Sequence, residues 1–374
     1  MNKDTVKNLN RRLLDNVQAG TTDIFDNEMV LDSTCFTDAA TLHREREHLF
    51  HNAPQPVAFS GEVPAPGAFL ALDVLNVPVL LSRDESGQLH AFVNACAHRG
   101  STLAEGSGSA RSFVCPFHGW SYQLDGEVRG RPGEDYFSSD LAPLRLTRLP
   151  VSERHGIVVI GSHNGISQTD VDNALEPIGH ELENFGFADY QAIERRRLTV
   201  AANWKLVNDL SLESYHFHSL HRDSVGALLA SNAVVDTFTR HSRWAFPLKS
   251  ITELAEHDEA DWPAQLQGSV TYTLYPGVMF VVNALGAQLI RAEPGEKPDE
   301  TVVYYVGMCA PGCDFEAARR AYDFGGEVFA NEDLPAAHDC QRGLAARGGN
   351  FPLGRNEPLL QFWHALWGDA LGDT

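Results

Sequence analysis

The 374-residue sequence predicts an α+β protein of two domains: a small β domain over residues 41–160, and a domain of helices and strands formed by residues 1–40 and 161–374. Three observations predict it. The chain is longer than one hydrophobic core usually organises. Residues 64–122 are a succession of short apolar runs cut by turn signals, the pattern of a small β domain. Beyond residue 160, helix-period segments share the chain with β-rich runs, the pattern of a sheet packed by helices.

In chain order, a polar lead with a short helix around Val6 to Val17 is followed by a second helix over 41–50. Phe69 to Arg83 is a β run broken at Asn76 and Pro78. The turn Asp84-Glu85-Ser86-Gly87 then introduces Leu89 to Cys96, and residues 156–161 close the β-rich stretch. Asn173 to Gly186 reads as a helix, and Arg195 to Leu206 as a strand leading into a helix. Val270 to Asn283, Gly286 to Pro294 and Glu300 to Cys309 are strands, with a turn at 295–298. Phe315 to Asn331 and Leu359 to Leu371 are amphipathic helices.

A formal net charge of −21 argues against nucleic acid and against an anionic membrane surface. No apolar run reaches the roughly 18 residues of a bilayer span, and the charged start lacks the apolar centre of a signal peptide. The expected location is the cytoplasm. Six scattered cysteines, at 35, 96, 115, 309, 313 and 340, do not make a disulfide framework.

Two of those cysteines carry the strongest signal. Cys96-x-His98, sixteen residues, then Cys115-x2-His118 places one Cys and one His on each of two loops. Zinc sites usually group like ligands within a loop. One Cys and one His per loop suits a 2Fe–2S cluster, with both cysteines on one iron and both histidines on the other. Such a centre passes electrons onward, so a partner site is expected. Residues 203–221 are dense in ligand types. If they are helical, Asp209, Glu213 and His216 share a face. His218 with His221 is the easy helical pairing; His216 with His221 requires the helix to end or bulge between them.

These segments resemble the Rieske ring-hydroxylating oxygenase family. The likeness rests on His98-Arg99-Gly100, Cys115-Pro116-Phe117-His118-Gly119-Trp120, Asn203-Trp204-Lys205, Glu213-x-Tyr215-His216-x4-His221 and Gln341-Arg342-Gly343-Leu344. It departs at Ala97, where the family usually has proline, and at Glu213, where much of the family has Asp. Members similar to carnitine monooxygenase have Glu there. The resemblance implies a Rieske domain joined to a catalytic domain of helix-grip type with a central antiparallel sheet. It implies a Rieske cluster on Cys96, His98, Cys115 and His118. It also implies a mononuclear Fe(II) on His216, His221 and a carboxylate, Asp333 with Glu332 as its local rival. Glu213 would be the electron bridge from His118 to His216, supported by Asp209 and Tyr215.

The activity implied is that of a terminal oxygenase with O2 as co-substrate. NAD(P)H would act only through a separate reductase, with or without a ferredoxin, and the subunits would form a homotrimer. The substrate is a small organic compound, either an aromatic that is hydroxylated or demethylated, or a quaternary ammonium compound. Candidate pocket residues are Phe217, Met279, Phe280, Asn283 and Leu289. A Rieske electron carrier without the second iron would need only the first 160 residues. Cys309-x3-Cys313 reads as plain thiols, and Phe362, Trp363, Leu366 and Trp367 as core or subunit contact.

Overall fold

A computed structural model describes residues 1–137, 144–163 and 165–372. The chain divides into two compact units, one of residues 51–176 and 186–189, the other of 1–50, 177–185 and 190–374.

The smaller unit is built from short antiparallel strands. Ala68–Val74 and Val77–Arg83 form a hairpin. The β run read as one segment therefore folds back at Leu75-Asn76. Both residues have positive φ (52° and 66°), the geometry of a type I′ hairpin turn. Leu89–Val93 extends this five-stranded sheet and leads into the loop of Cys96 and His98. The loop of Cys115 and His118 joins Phe113–Val114 to Ser121–Tyr122 in a separate three-stranded sheet. Leu80, Phe92, Phe113, Trp120 and Tyr122 pack behind both loops.

The larger unit centres on a seven-stranded antiparallel sheet. In spatial order its strands are Gln191–Val200, Thr301–Cys309, Gly286–Pro294, Val278–Val282, Gly268–Leu274, His241–Pro247 and Val234–Phe238. Strand alternation assigns its two faces. Met279, Ile290, Ala292, Val303 and Tyr305 point toward Leu206, Val207, Phe329, Leu334 and Ala337 of the covering helices. The segment Asn173 to Gly186, expected to be one helix, is instead a chain of short turns: Gln168–Asn173, Glu176–Ile178, Gly179–Leu182 and Glu183–Phe185. Pro177, Gly179 and Gly186 explain the interruptions.

Two family-like motifs have structural jobs here. Asn203 caps the helix Trp204–Asp209 by accepting the Lys205 N–H at 3.0 Å. Its own N–H donates to Gln341 Oε1 at 2.9 Å, so the Asn203 and Gln341 motifs meet in the core. Lys205 is buried and ion-paired with buried Glu45, which also accepts the Trp204 indole N–H at 2.8 Å. Removing one member of a buried pair strands the other charge. Lys205→Ala is therefore expected to cost about 3–5 kcal/mol, read as a lower denaturant midpoint; an unchanged midpoint would show that the pair contributes nothing.

Candidate metal centres

The two Cys/His loops fold alike. In each, a glycine with left-handed φ (Gly100 at 75°, Gly119 at 73°) donates its N–H to the loop cysteine's carbonyl, at 2.8 and 3.0 Å. Only glycine takes that conformation without strain, so both tight turns depend on it. Cys96 and Cys115 come within hydrogen-bonding reach of each other. The His98 and His118 rings lie 4.7 Å apart, centroid to centroid. Sulfur pairs with sulfur and imidazole with imidazole.

The donor set fits a Rieske cluster. His98 Nδ1 is buried and has no hydrogen-bond partner, a cost that a metal bond would remove. The ring is held by stacking on Trp120 at 4.9 Å and 5°. Burial raises the Cys115 thiol pKa, but the N–H groups of Phe117 and His118 outweigh it and hold the thiol below its usual range, which favours the ligating thiolate. Desolvation, then His98 and Arg99, lower His118 and favour the neutral ligand form.

The non-proline residue at Ala97 has a consequence. Its N–H donates to Tyr122 Oη at 3.0 Å, a bond proline cannot make. Tyr122 Oη in turn lies 3.1 Å from Cys96 Sγ. Hydrogen bonds to ligand sulfur raise a cluster's potential. Tyr122→Phe is expected to lower the midpoint potential in protein-film voltammetry without loss of cluster; an unmoved potential would remove Tyr122 from that role.

The second centre lies beside the helix Trp204–Asp209, which ends before reaching the histidines. Glu213 and His216 therefore do not continue its face. The chain turns, and Tyr215–His218 forms a single 3₁₀ turn. This break brings together the histidines that a straight helix would separate. One metal-binding atom from each of His216, His221 and Asp333 falls within 4.8 Å of the others. Asp333 Oδ1 is 3.1 Å from His221 Nε2 and 3.8 Å from His216 Nε2. Asp333 ends a π-helical turn, Phe329–Asp333, between the helices Phe315–Val328 and Leu334–Arg347. It is thus not in the first turn of a free-standing helix; the extra residue of the π turn re-aims it, as such bulges often do at functional sites.

Two histidines and a carboxylate suit ferrous iron with open positions. The field at the site agrees: burial lowers the His221 pKa, but Asp333 and Glu332 outweigh it and raise it overall, so the site favours a cation. Glu332 faces the other side of the ring, 2.7 Å from His221 Nδ1, and also accepts the Ser224 hydroxyl at 2.8 Å. Glu213 Oε1 makes a short contact with His216 Nδ1. Each histidine thus turns Nε2 toward the centre and Nδ1 toward a carboxylate, the usual orienting arrangement for metal-binding histidines. His218 is not part of the cluster. Tyr215 is 68 % exposed and contributes its backbone N–H to Glu213. Asp209 turns to His364.

Phe217 packs against both histidine rings, at 5.1 and 5.7 Å. Behind it stand Phe246 at 5.3 Å and Trp244 at 6.2 Å, from a strand the sequence reading did not identify. Met279 shares that face of the sheet, through the register Trp244 to Thr271 and Thr273 to Met279. Phe280 and Leu289, expected in the pocket, lie opposite each other on the reverse face with Tyr272, whose hydroxyl bonds Glu181. Asn283 accepts the Leu285 and Gly286 N–H groups and shapes a hairpin instead. Strand alternation excludes Phe280 and Leu289 from the pocket side, and Asn283 lies beyond the strand's end, in the hairpin connection.

Fold and centres define a class: a two-unit protein with a Cys/His cluster site in one unit and a two-histidine, one-carboxylate site in the other. The larger unit matches the family described as ring hydroxylating alpha subunit (catalytic domain) over residues 187–373, and the smaller matches the Rieske [2Fe-2S] domain over 53–144. The chain belongs to the ring-hydroxylating alpha subunit family. It is 30 % identical over 212 residues to a glycine betaine monooxygenase oxygenase subunit of Pseudomonas aeruginosa, covering 56 % of this chain and 49 % of that protein. The chain thus spans about half the length of that relative. A carnitine monooxygenase oxygenase subunit of Acinetobacter pittii is 26 % identical over 333 residues, 84 % of each chain. In fold it is similar to the quaternary ammonium Rieske monooxygenase CntA bound to L-carnitine (TM-score 0.78, 22 % identity, 91 % and 95 % covered). It is also similar to naphthalene 1,2-dioxygenase from Rhodococcus sp. (TM-score 0.74, 18 % identity, 98 % of each). Among the described residues, no helix is long and apolar enough to cross a membrane.

Proposed function

We propose that the protein is the terminal oxygenase of a Rieske non-haem iron system, with Cys96, His98, Cys115 and His118 holding the cluster and His216, His221 and Asp333 the iron. The observation that carries this reading is the contact of Glu213 with His216 Nδ1, which attaches an acidic group to the back of a metal-type histidine. The bound groups supply single electrons and an open position for O2. The residues supply the rest. Glu213 accepts from His216 and can receive a second imidazole, His118, from the exposed cluster loop, in which Phe117 is 54 % exposed. Glu332 fixes the His221 ring. Phe217, Trp244 and Phe246 exclude water from one side.

The cluster of one copy would serve Glu213 of the next in a homotrimer; a solved relative is described as showing inter-subunit electron transfer. Electrons would come from a separate reductase, directly or through a ferredoxin.

For the substrate, a quaternary ammonium compound is favoured. The curated relatives act on glycine betaine, choline or carnitine. Three aromatic rings beside a carboxylate-rich site suit a cation that cannot donate hydrogen bonds. The likeness to naphthalene 1,2-dioxygenase supports an aromatic substrate as the second reading. Reconstituted protein, a generic reductase and NADH should consume O2 with matched formation of a demethylated or hydroxylated product from glycine betaine, choline or L-carnitine. Coupled turnover of aromatic acids alone would reverse the substrate order; O2 uptake with no product from either class would sink the oxygenase reading.

A further inference from the structure

Asp209, half-buried, and buried His364 form a pair that the proposed electron route does not use. His364 Nε2 lies 3.0 and 3.1 Å from the two oxygens of Asp209. The ring is only 7 % exposed and is wedged edge-on between Phe36 (5.5 Å) and Trp367 (5.1 Å), so its direction is fixed. The helix that carries it, Pro358–Leu371, is pinned to the sheet and its connection by Trp363 Nε1 donating to Ser242 Oγ at 2.9 Å and Trp367 Nε1 to the Pro276 carbonyl at 2.7 Å.

Asp209 is the last residue of the helix Trp204–Asp209, and Glu213 follows it by one turn-length of irregular chain. That link is held by Ser211 N–H to the Asn208 carbonyl (2.9 Å) and Leu212 N–H to the Asp209 carbonyl (3.1 Å). Trp244 Nε1 grips its middle at the Ser211 carbonyl, 2.8 Å away. Asp209 and Glu213 line the same groove, an apolar cleft of about 450 Å³ with Leu206, Leu210 and Leu360. Glu357, the residue before the His364 helix, adds a third carboxyl: burial raises its pKa, the Gly354 N–H lowers it, and Glu213 and Asp209 raise it further. Three carboxyl groups therefore share one neighbourhood, and His364 takes up one of them.

The geometry points to His364 as a positioning residue for electron transfer: by fixing the Asp209 carboxylate it anchors the 209–213 turn and keeps Glu213 on His216. This rests on the reading of Glu213 as the bridge. A carboxylate left without its donor would turn toward solvent and let the turn shift, and electron transfer falls steeply when a hydrogen-bonded contact opens. His364→Phe keeps the ring volume and removes the donor. His364→Gln restores a donor near the Nε2 position.

The test uses the holoenzyme with its cluster reduced by a light flash while the mononuclear iron is ferric, so no substrate is needed. Loss of the reduced-cluster absorbance reports the transfer. His364→Phe should slow it at least about tenfold, the scale of one hydrogen bond to a charged group, with iron content and thermal midpoint kept. His364→Gln should recover most of the rate. In iron-free protein labelled with ¹⁵N-histidine, His364→Phe should also move the His216 ring signals, and His364→Gln should return them. A parent-like rate in His364→Phe overturns the inference, as does loss of iron or of thermal midpoint that His364→Gln fails to repair. Glu213→Ala separates the two readings. If it also transfers at the parent rate, the bridge itself is wrong; if it is slow and His364→Phe is fast, only the role of His364 falls.

Discussion

Glu213→Ala is expected to leave the visible spectrum of the cluster unchanged and to abolish product formation. The carboxylate makes three local bonds: Oε1 to His216 Nδ1, and Oε2 to the Tyr215 and His216 N–H groups. None of them reaches Cys96, His98, Cys115 or His118, so the cluster site has no reason to change. The His216 ring, by contrast, loses the group that sets its orientation and tautomer. Loss of such an orienting partner commonly costs about 10- to 100-fold in metal affinity or activity. Here it should cost more, because the same atom would carry the electron. Glu213→Gln is the informative companion: it preserves the shape and an acceptor but removes the charge, and should retain iron while turning over slowly. Iron by elemental analysis, the visible spectrum and single-turnover product yield read these outcomes separately. Retained turnover in Glu213→Ala would remove Glu213 from the route.

The two Cys/His loops were legible in the sequence because their pattern is local: each places its Cys and His within four residues, and glycine marks the turn. Strands of the large sheet with uninterrupted apolar runs, such as Thr301–Cys309, were legible for a similar reason. The strand His241–Pro247 was not. It is buried along its whole length, yet its sequence, HSRWAFP, mixes charge with aromatic residues because Arg243 is neutralised by Glu181 and Asp236 from elsewhere in the chain. Periodicity cannot anticipate a charge that is buried against a distant partner. That strand supplies Trp244 and Phe246, so the aromatic wall went unread with it.

Other parts of the second centre were hidden for a related reason. His221 to Glu332 and Asp209 to His364 span 111 and 155 residues. Local spacing carries no information at that range. Gly226 is a smaller instance: a Cβ there would come within 2.6 Å of the Phe217 carbonyl and 2.7 Å of the His221 carbonyl, so the loop closes behind His221 only with glycine. Nothing in the neighbouring sequence distinguishes it from an ordinary loop glycine. The sequence led to an expected helix end or bulge between His216 and His221; the helix instead ends earlier, at Asp209.

Adjacent acids often compete for one role, but Glu332 and Asp333 are separated by the geometry of the π turn, and their replacement should have different effects. Asp333 Oδ1 faces the Nε2 atoms of both histidines, whereas Glu332 meets His221 only at Nδ1. Asp333→Ala removes one of three charged or neutral donors from a site with open positions, leaving two imidazoles, too few to hold ferrous iron firmly. The expected result is loss of mononuclear iron and of all turnover, with the cluster spectrum intact. Glu332→Gln leaves all three donors in place. It exchanges a charged acceptor for a neutral one at His221 Nδ1 and still offers a partner to the Ser224 hydroxyl. Iron should bind about 10- to 100-fold more weakly, so activity should return when ferrous iron is supplied in excess. For Asp333→Ala excess iron should restore nothing. Rescue of Asp333→Ala with failure of Glu332→Gln would exchange the two assignments, and equal behaviour would mean that both carboxylates reach the metal.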